Sequence, residues 1–193
     1  MKKYLLMALG AGSMIAMAAP AAAQTVTGTV NITGSVANKC SVQPGSGSTF
    51  TGTVGLGELA QADGTMATDL ATRFNAVGNA AQLNFRVVCN TATPTVAVDA
   101  TELTTAAAGG AGFSNRIDYV AHVAVSLVTG GPANFSNDSR GAATPAAATT
   151  RIANTGGNNV SITADGFGTP GATDQLVAGN YTGNISVVIA PGA

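Results

Sequence analysis

Few side chains in this sequence are of a type that does chemistry, and their spacing narrows the choice. There are two cysteines, Cys40 and Cys89, and one histidine, His122. An isolated pair of thiols in an oxidising compartment most often ends as one disulfide. Closing a loop of about 50 residues removes roughly 4 kcal/mol of unfolded-state entropy. A two-cysteine metal site is the weaker reading, because His122 is a poor third ligand. His122 stands inside an apolar strand pattern, where a hydrogen-bonded structural histidine is commoner than a catalytic base. Asp63, Asp69, Asp99, Asp118, Asp138, Asp165 and Asp174 are scattered beside turn residues, as loop-bonding carboxylates are. Asn137-Asp138-Ser139 and Asp63-Gly64 lack the regular ligand spacing of a calcium loop. Gly-x-Ser-x-Gly, His-Glu-x-x-His and phosphate-cradling glycine motifs are missing from the sequence. The expectation is therefore no enzyme, no catalytic residue, no cofactor and no metal.

The elements that carry these residues alternate with a period of two. In residues 25–37, TVTGTVNITGSVA, Val26, Gly28, Val30, Ile32, Gly34 and Val36 fall on one face and Thr, Asn and Ser on the other. Phe50, Gly52, Val54 and Leu56 predict a second strand. Residues 57–79 read as a long loop with one helical turn near 67–74. Leu83, Phe85, Val87 and Cys89 share the apolar face of the next strand, which places the Cys89 sulfur in the core for Cys40 to meet from a facing strand. Strands are expected over 95–99, 116–128 and 160–164, and residues 130–159 as a surface loop or a pair of irregular edge strands. The last strand puts Tyr181, Gly183, Ile185, Val187 and Ile189 inward. About six or seven strands with turns between them and no long helix indicate an all-β, immunoglobulin-like β-sandwich.

The sequence of 193 residues opens with Lys2 and Lys3, an apolar run from Tyr4 to Met17, and Ala21-Ala22-Ala23 before Gln24. This reads as a signal peptide over residues 1–23, with export across a bacterial membrane as the expected outcome. The remaining 170 residues suit one domain and carry 6 basic against 9 acidic residues, a net of −3. A basic footprint for nucleic acid is excluded. Aromatic residues make up 5%, too few for the two girdles of a membrane barrel.

These residues together resemble the spore coat protein U-like family, to which the pilins of archaic chaperone–usher fimbriae belong. The matching features are the exported alternating N-terminal strand, Cys40 straight after it, the Leu56-Gly57 step, Cys89 on an apolar strand face, and the terminal Gly-x-Tyr strand from Gly179 to Ile189. The resemblance is strong at the two ends and weaker between them, where the chain has no Trp. It implies an immunoglobulin-like sandwich lacking its last strand, over residues 38–193, preceded by a donor strand over residues 24–37. The donor face would be Val26, Gly28, Val30, Ile32, Gly34 and Val36. The acceptor edge would be Tyr181, Gly183, Ile185, Val187 and Ile189. Implied partners are a periplasmic chaperone, an outer-membrane usher and other pilin subunits, with passage through the periplasm to a fimbrium at the cell surface. The competing expectation is that residues 25–37 pair within their own chain, giving a monomeric secreted surface- or glycan-binding module.

Overall fold

The computed structural model describes residues 27–44, 47 and 49–192. The expected signal segment, Gln24, Thr25 and Val26 of the expected donor strand, and Gly45, Ser46 and Ser48 of the turn after Val42 lie outside the described residues. The chain divides into two units, Met1–Ser35 and Val36–Ala193. In the first, residues 27–35 carry no helix or strand, and Val30 and Ile32 are exposed.

The second unit is built on strands β1 (Cys40–Gln43), β2 (Asn84–Cys89), β3 (Thr95–Thr104), β4 (Phe113–Ser114), β5 (Arg116–Val125), β6 (Ala133–Asp138), β7 (Ala147–Ala148), β8 (Val160–Gly168), β9 (Gln175–Leu176) and β10 (Thr182–Ala190). Two short helices, α1 (Leu70–Phe74) and α2 (Ala80–Leu83), flank a 3-10 turn at Val77–Asn79. The main sheet runs β1-β2-β8-β5-β3-β10, with every neighbouring pair antiparallel. β6 adds to β5 and β7 to β3, while β4 and β9 form a small parallel pair. The sheet curls because β5 shares one edge between two partners. It bonds β3 only at Arg116 and Ile117, then β6 from Val120 to Val125. β3 is thus free to swing across, and the inner faces of β2, β3, β5 and β8 close on one core.

Strand alternation translates directly into burial. Phe85, Val87 and Cys89 of β2, Val96, Val98 and Ala100 of β3, and Tyr119, Ala121, Val123 and Val125 of β5 all point inward. A satellite core of Leu70, Ala67 and Ile117 seats α1, the helical turn expected from sequence. Four expectations need correction. Residues 49–56, expected as a strand, carry no ladder, although Phe50, Val54 and Leu56 keep the predicted inward face and touch or line the core. β3 continues past Asp99 to Thr104, and β8 past Ala164 to Gly168, since in each case a neighbouring strand supplies partners for the extra residues. Residues 130–159 instead match the second alternative expected for them, a pair of strands, β6 and β7, joined by irregular chain. Cys40 meets Cys89 from the adjacent strand of the same sheet, directly across the β1–β2 ladder, with Cα atoms 4.1 Å apart.

Among the described residues no helix is long and apolar enough to cross a membrane, and no three His, Cys, Asp or Glu side chains gather to hold a metal ion.

Candidate functional site

β10 ends the main sheet. Among the described residues it is bonded to β3 alone, so its second row of backbone N–H and C=O groups has no strand against it. Unpaired edges of this kind template a further strand. The side chains of its inner face, Ile185, Val187 and Ile189, are only half-buried against the core, whereas Val188 on the other face is 57% exposed.

A groove follows that inner face. Where β10 ends, a hollow of about 110 Å³ lies between Cys40, Ser41 and Val42 of β1 on one side and Ile185, Val187 and Ile189 on the other, floored by Phe85, Val87 and Ile162. It shares Phe50, Ile162 and Ile185 with a larger hollow of about 360 Å³, walled by residues 50–54 and Leu56 and floored by Leu103, Tyr119 and Phe167. A third hollow of about 600 Å³ lies between residues 54–60 and Leu176–Tyr181. The larger hollow shares lining residues with each of the other two, and together they make one trough of mixed lining, apolar side chains interleaved with polar backbone, with β1 and residues 49–60 opposite β10.

Named interactions hold each wall. Phe50 stacks on Phe85 with ring centroids 4.3 Å apart, and Tyr119 stacks on Phe167 at 5.4 Å. Arg73 of α1 pairs with Asp69 at 2.8 Å and donates to the carbonyls of Leu56 and Glu58, fixing a stretch that has no ladder of its own. Tyr119 donates its hydroxyl to the Asn184 carbonyl at 2.9 Å, tying the floor to β10. Burial, with the charge of Asp99 as a smaller cause, pushes the Tyr119 phenol up to about 12, so it stays a donor. Tyr181 donates to the carbonyls of Val177 and Ser114, and burial raises its phenol too.

The sequence-predicted acceptor residues divide by position. Ile185, Val187 and Ile189 line the groove together, and Tyr181 lines its far hollow. Gly183 instead sits at a β-bulge, where Glu102 and Leu103 of β3 stand opposite it alone. A Cβ there would lie 2.7 Å from the Glu102 carbonyl oxygen, which explains the glycine as a close backbone approach. Of the predicted donor face, Val30, Ile32 and Val36 are more than four-fifths exposed, and a Cβ on Gly28 or Gly34 would meet nothing within 4 Å. His122 lies on the outer face of β5 with Nε2 3.0 Å from Asp165 Oδ1, hydrogen-bonded as the sequence reading expected of a structural histidine. The aspartates act locally: Arg140 holds the Asp138 carboxyl down to about 2, and hydrogen bonds from Thr65 lower Asp63.

Several asparagines that the sequence offers only as turn formers complete the framework. Buried Asn159 accepts from Val87 N–H and donates to Val87 C=O, both at 2.7 Å, supplying a ladder partner where β2 and β8 part. Asn137 does the same for Ala100 N–H at 2.8 Å and Asn75 for both backbone groups of Ala164. Asn90, at the end of β2, bonds the chain that leads into β1. The signal that finds them is an Asn next to a strand pattern, which is too common to single out.

Comparison with protein-family models, with curated proteins and with solved structures found no match to this chain.

Proposed function

We propose that this protein is the structural subunit of a fibre, a fimbrial pilin, that polymerises by donor-strand exchange: residues 24–37 of one copy fill the groove beside β10 of the next. The observation that carries this reading is the open edge of β10 running along a trough into which Ile185, Val187 and Ile189 point, and whose opposite wall is a second strand edge, β1. An inserted strand gains main-chain hydrogen bonds from the edge and register from alternate side chains entering hollows. The segment suited to it is in the same sequence. Val30, Ile32 and Val36 alternate correctly, stand exposed, and would each gain roughly 1.5–3 kcal/mol on full burial, before the cost of ordering the segment. On this reading the curled sheet is an immunoglobulin-like sandwich short of one strand. Head-to-tail donation does not close and so builds a filament. Export by the signal segment, delivery by a periplasmic chaperone and assembly at an outer-membrane usher belong to the same proposal, and rest on the sequence resemblance.

The test compares the exported chain with a version lacking residues 24–35, by size exclusion and electron microscopy, with and without a synthetic peptide of that segment. Linear, SDS-resistant polymers from the full chain, and a truncated subunit that stays short and is stabilised by the peptide, are the expected results. A stable full-length monomer, whose truncation unfolds it with no rescue by peptide, would return the segment to its own sheet and make a secreted binding module the better account.

A further inference from the structure

Donor segment and groove belong to one chain, so exchange between copies has an internal competitor. A short tether presents a segment at an effective concentration of about millimolar, which beats micromolar partner subunits about a thousandfold unless geometry forbids it. Resting on the assembly reading above, a device is therefore needed that keeps the groove closed to the chain's own segment.

The topology states what self-occupancy would require. Cys40 lies opposite Cys89 and Ala190 opposite Thr95, so β1 starts at the pole where β10 ends, and the two run in opposite directions. A segment leading into β1 reaches the space between β1 and β10 only by reversing between Val36 and Cys40. That stretch is held straight. Lys39 faces Asn90, one step beyond the Cys40–Cys89 pair, and the Asn90 N–H donates to the Lys39 carbonyl at 3.1 Å. The Asn90 side chain completes the pairing: Oδ1 accepts from Lys39 N–H at 2.8 Å, and Nδ2 donates to the Ala37 carbonyl at 2.8 Å. These bonds extend the β1 ladder back to Ala37 on the side of β2, and between them the Asn38 side chain donates to the carbonyl of Gly192, just past the end of β10, at 3.4 Å. The neighbouring disulfide fixes the backbone from which Asn90 reaches.

We propose that Asn90 is the positioning residue that denies the groove to its own chain's donor segment and so commits that segment to a second copy of the chain. Releasing the Ala37–Lys39 stretch gives it the freedom to turn, and the tethered segment then fills its own groove.

The experiment is Asn90→Ala in the full chain, at micromolar subunit concentration. Polymer yield is expected to fall at least about tenfold in favour of a folded monomer that no longer captures a synthetic peptide of residues 24–36. Asn90→Ala in the version lacking residues 24–35 is expected to capture that peptide as its parent does, because the groove itself is untouched. Wild-type polymer yield from Asn90→Ala would overturn the proposal. So would loss of peptide capture by truncated Asn90→Ala, which would make Asn90 a plain structural residue. Asn90→Asp keeps the acceptor for Lys39 N–H and loses the donor to Ala37, so a partial shift to monomer is expected; it carries the test if Asn90→Ala does not fold. If the unsubstituted chain neither polymerises nor, once truncated, captures peptide, the assembly reading itself falls, a result distinct from polymers that ignore the Asn90 change.

Discussion

β5 and β10 follow the same alternating pattern and reach opposite ends. On β5, Ala121, Val123 and Val125 are at most 1% exposed, with β8 along one edge and β3 and β6 along the other. On β10, Ile185, Val187 and Ile189 point to the same core and stay half-covered, and among the described residues the strand has a partner on one edge only. A period of two therefore specifies which face turns inward and leaves unspecified how many neighbours complete the layer. The incomplete strand is the one with chemistry left to do.

The sharpest way to break this contrast is to put a charge on each inner face. Val125→Asp buries an unpaired carboxylate with no route to water, and is expected to abolish cooperative folding, read as loss of soluble, urea-resistant protein. Val187→Asp lies on the open trough, and is expected to leave a folded, disulfide-bonded subunit that has lost peptide capture at least tenfold. Equal behaviour of the two would erase the distinction. Next in size is Cys89→Ala, which frees β1, the wall opposite β10; urea unfolding is expected to show a loss of about 2–5 kcal/mol. Asn159→Ala strips the Val87 N–H and C=O of their partner inside the closed half, and about 2–4 kcal/mol is expected by the same measurement. Gly183→Ala asks the bulge beneath the open strand to move, because its Cβ meets β3 backbone; about 1–3 kcal/mol is expected, with weaker peptide capture.

The smallest effect is one of pH. Tyr119 is neutral in the fold up to about 12 and ionises near the ordinary tyrosine value of 10.0 when unfolded. Its raised value gives stability that is complete below pH 10 and lost as pH climbs towards 12. Tyr119→Phe is expected to flatten that stretch of a Tm-against-pH curve.

How much was legible from the sequence follows the same division. The β2 and β5 faces and the cysteine pair could be read because a buried face leaves an apolar record at every second residue. Phe50, Val54 and Leu56 left the same record without a strand, since a ladder needs a partner and side-chain alternation does not encode one. β6 could be placed only as one of two alternatives for residues 130–159, because its ladder to β5 is backbone work, and Asn134, Ser136 and Asp138 give no apolar stripe. Gly183 was read as an inward strand position because a glycine in a strand pattern does not announce a bulge. The strand from Tyr181 to Ile189 was legible in its alternation, and its role as an acceptor edge came only from the family resemblance; the wall opposite it, held by Arg73 and closed by Phe50 on Phe85, depends on contacts between residues far apart in the chain.

The place of the disulfide has a mechanical meaning. If the chain assembles into the proposed filament, tension would arrive from the N-terminal segment at Ala37 and three residues later reach Cys40, which is bonded to Cys89 across the ladder. β1 is only four residues long and, with hydrogen bonds alone, would peel from β2 one rung at a time. Behind only the Asn90 bonds to Ala37 and Lys39, the covalent rung precedes the hydrogen-bonded rungs from Ser41 to Gln43, so load passes into β2 and the curled sheet before those rungs are asked to bear it.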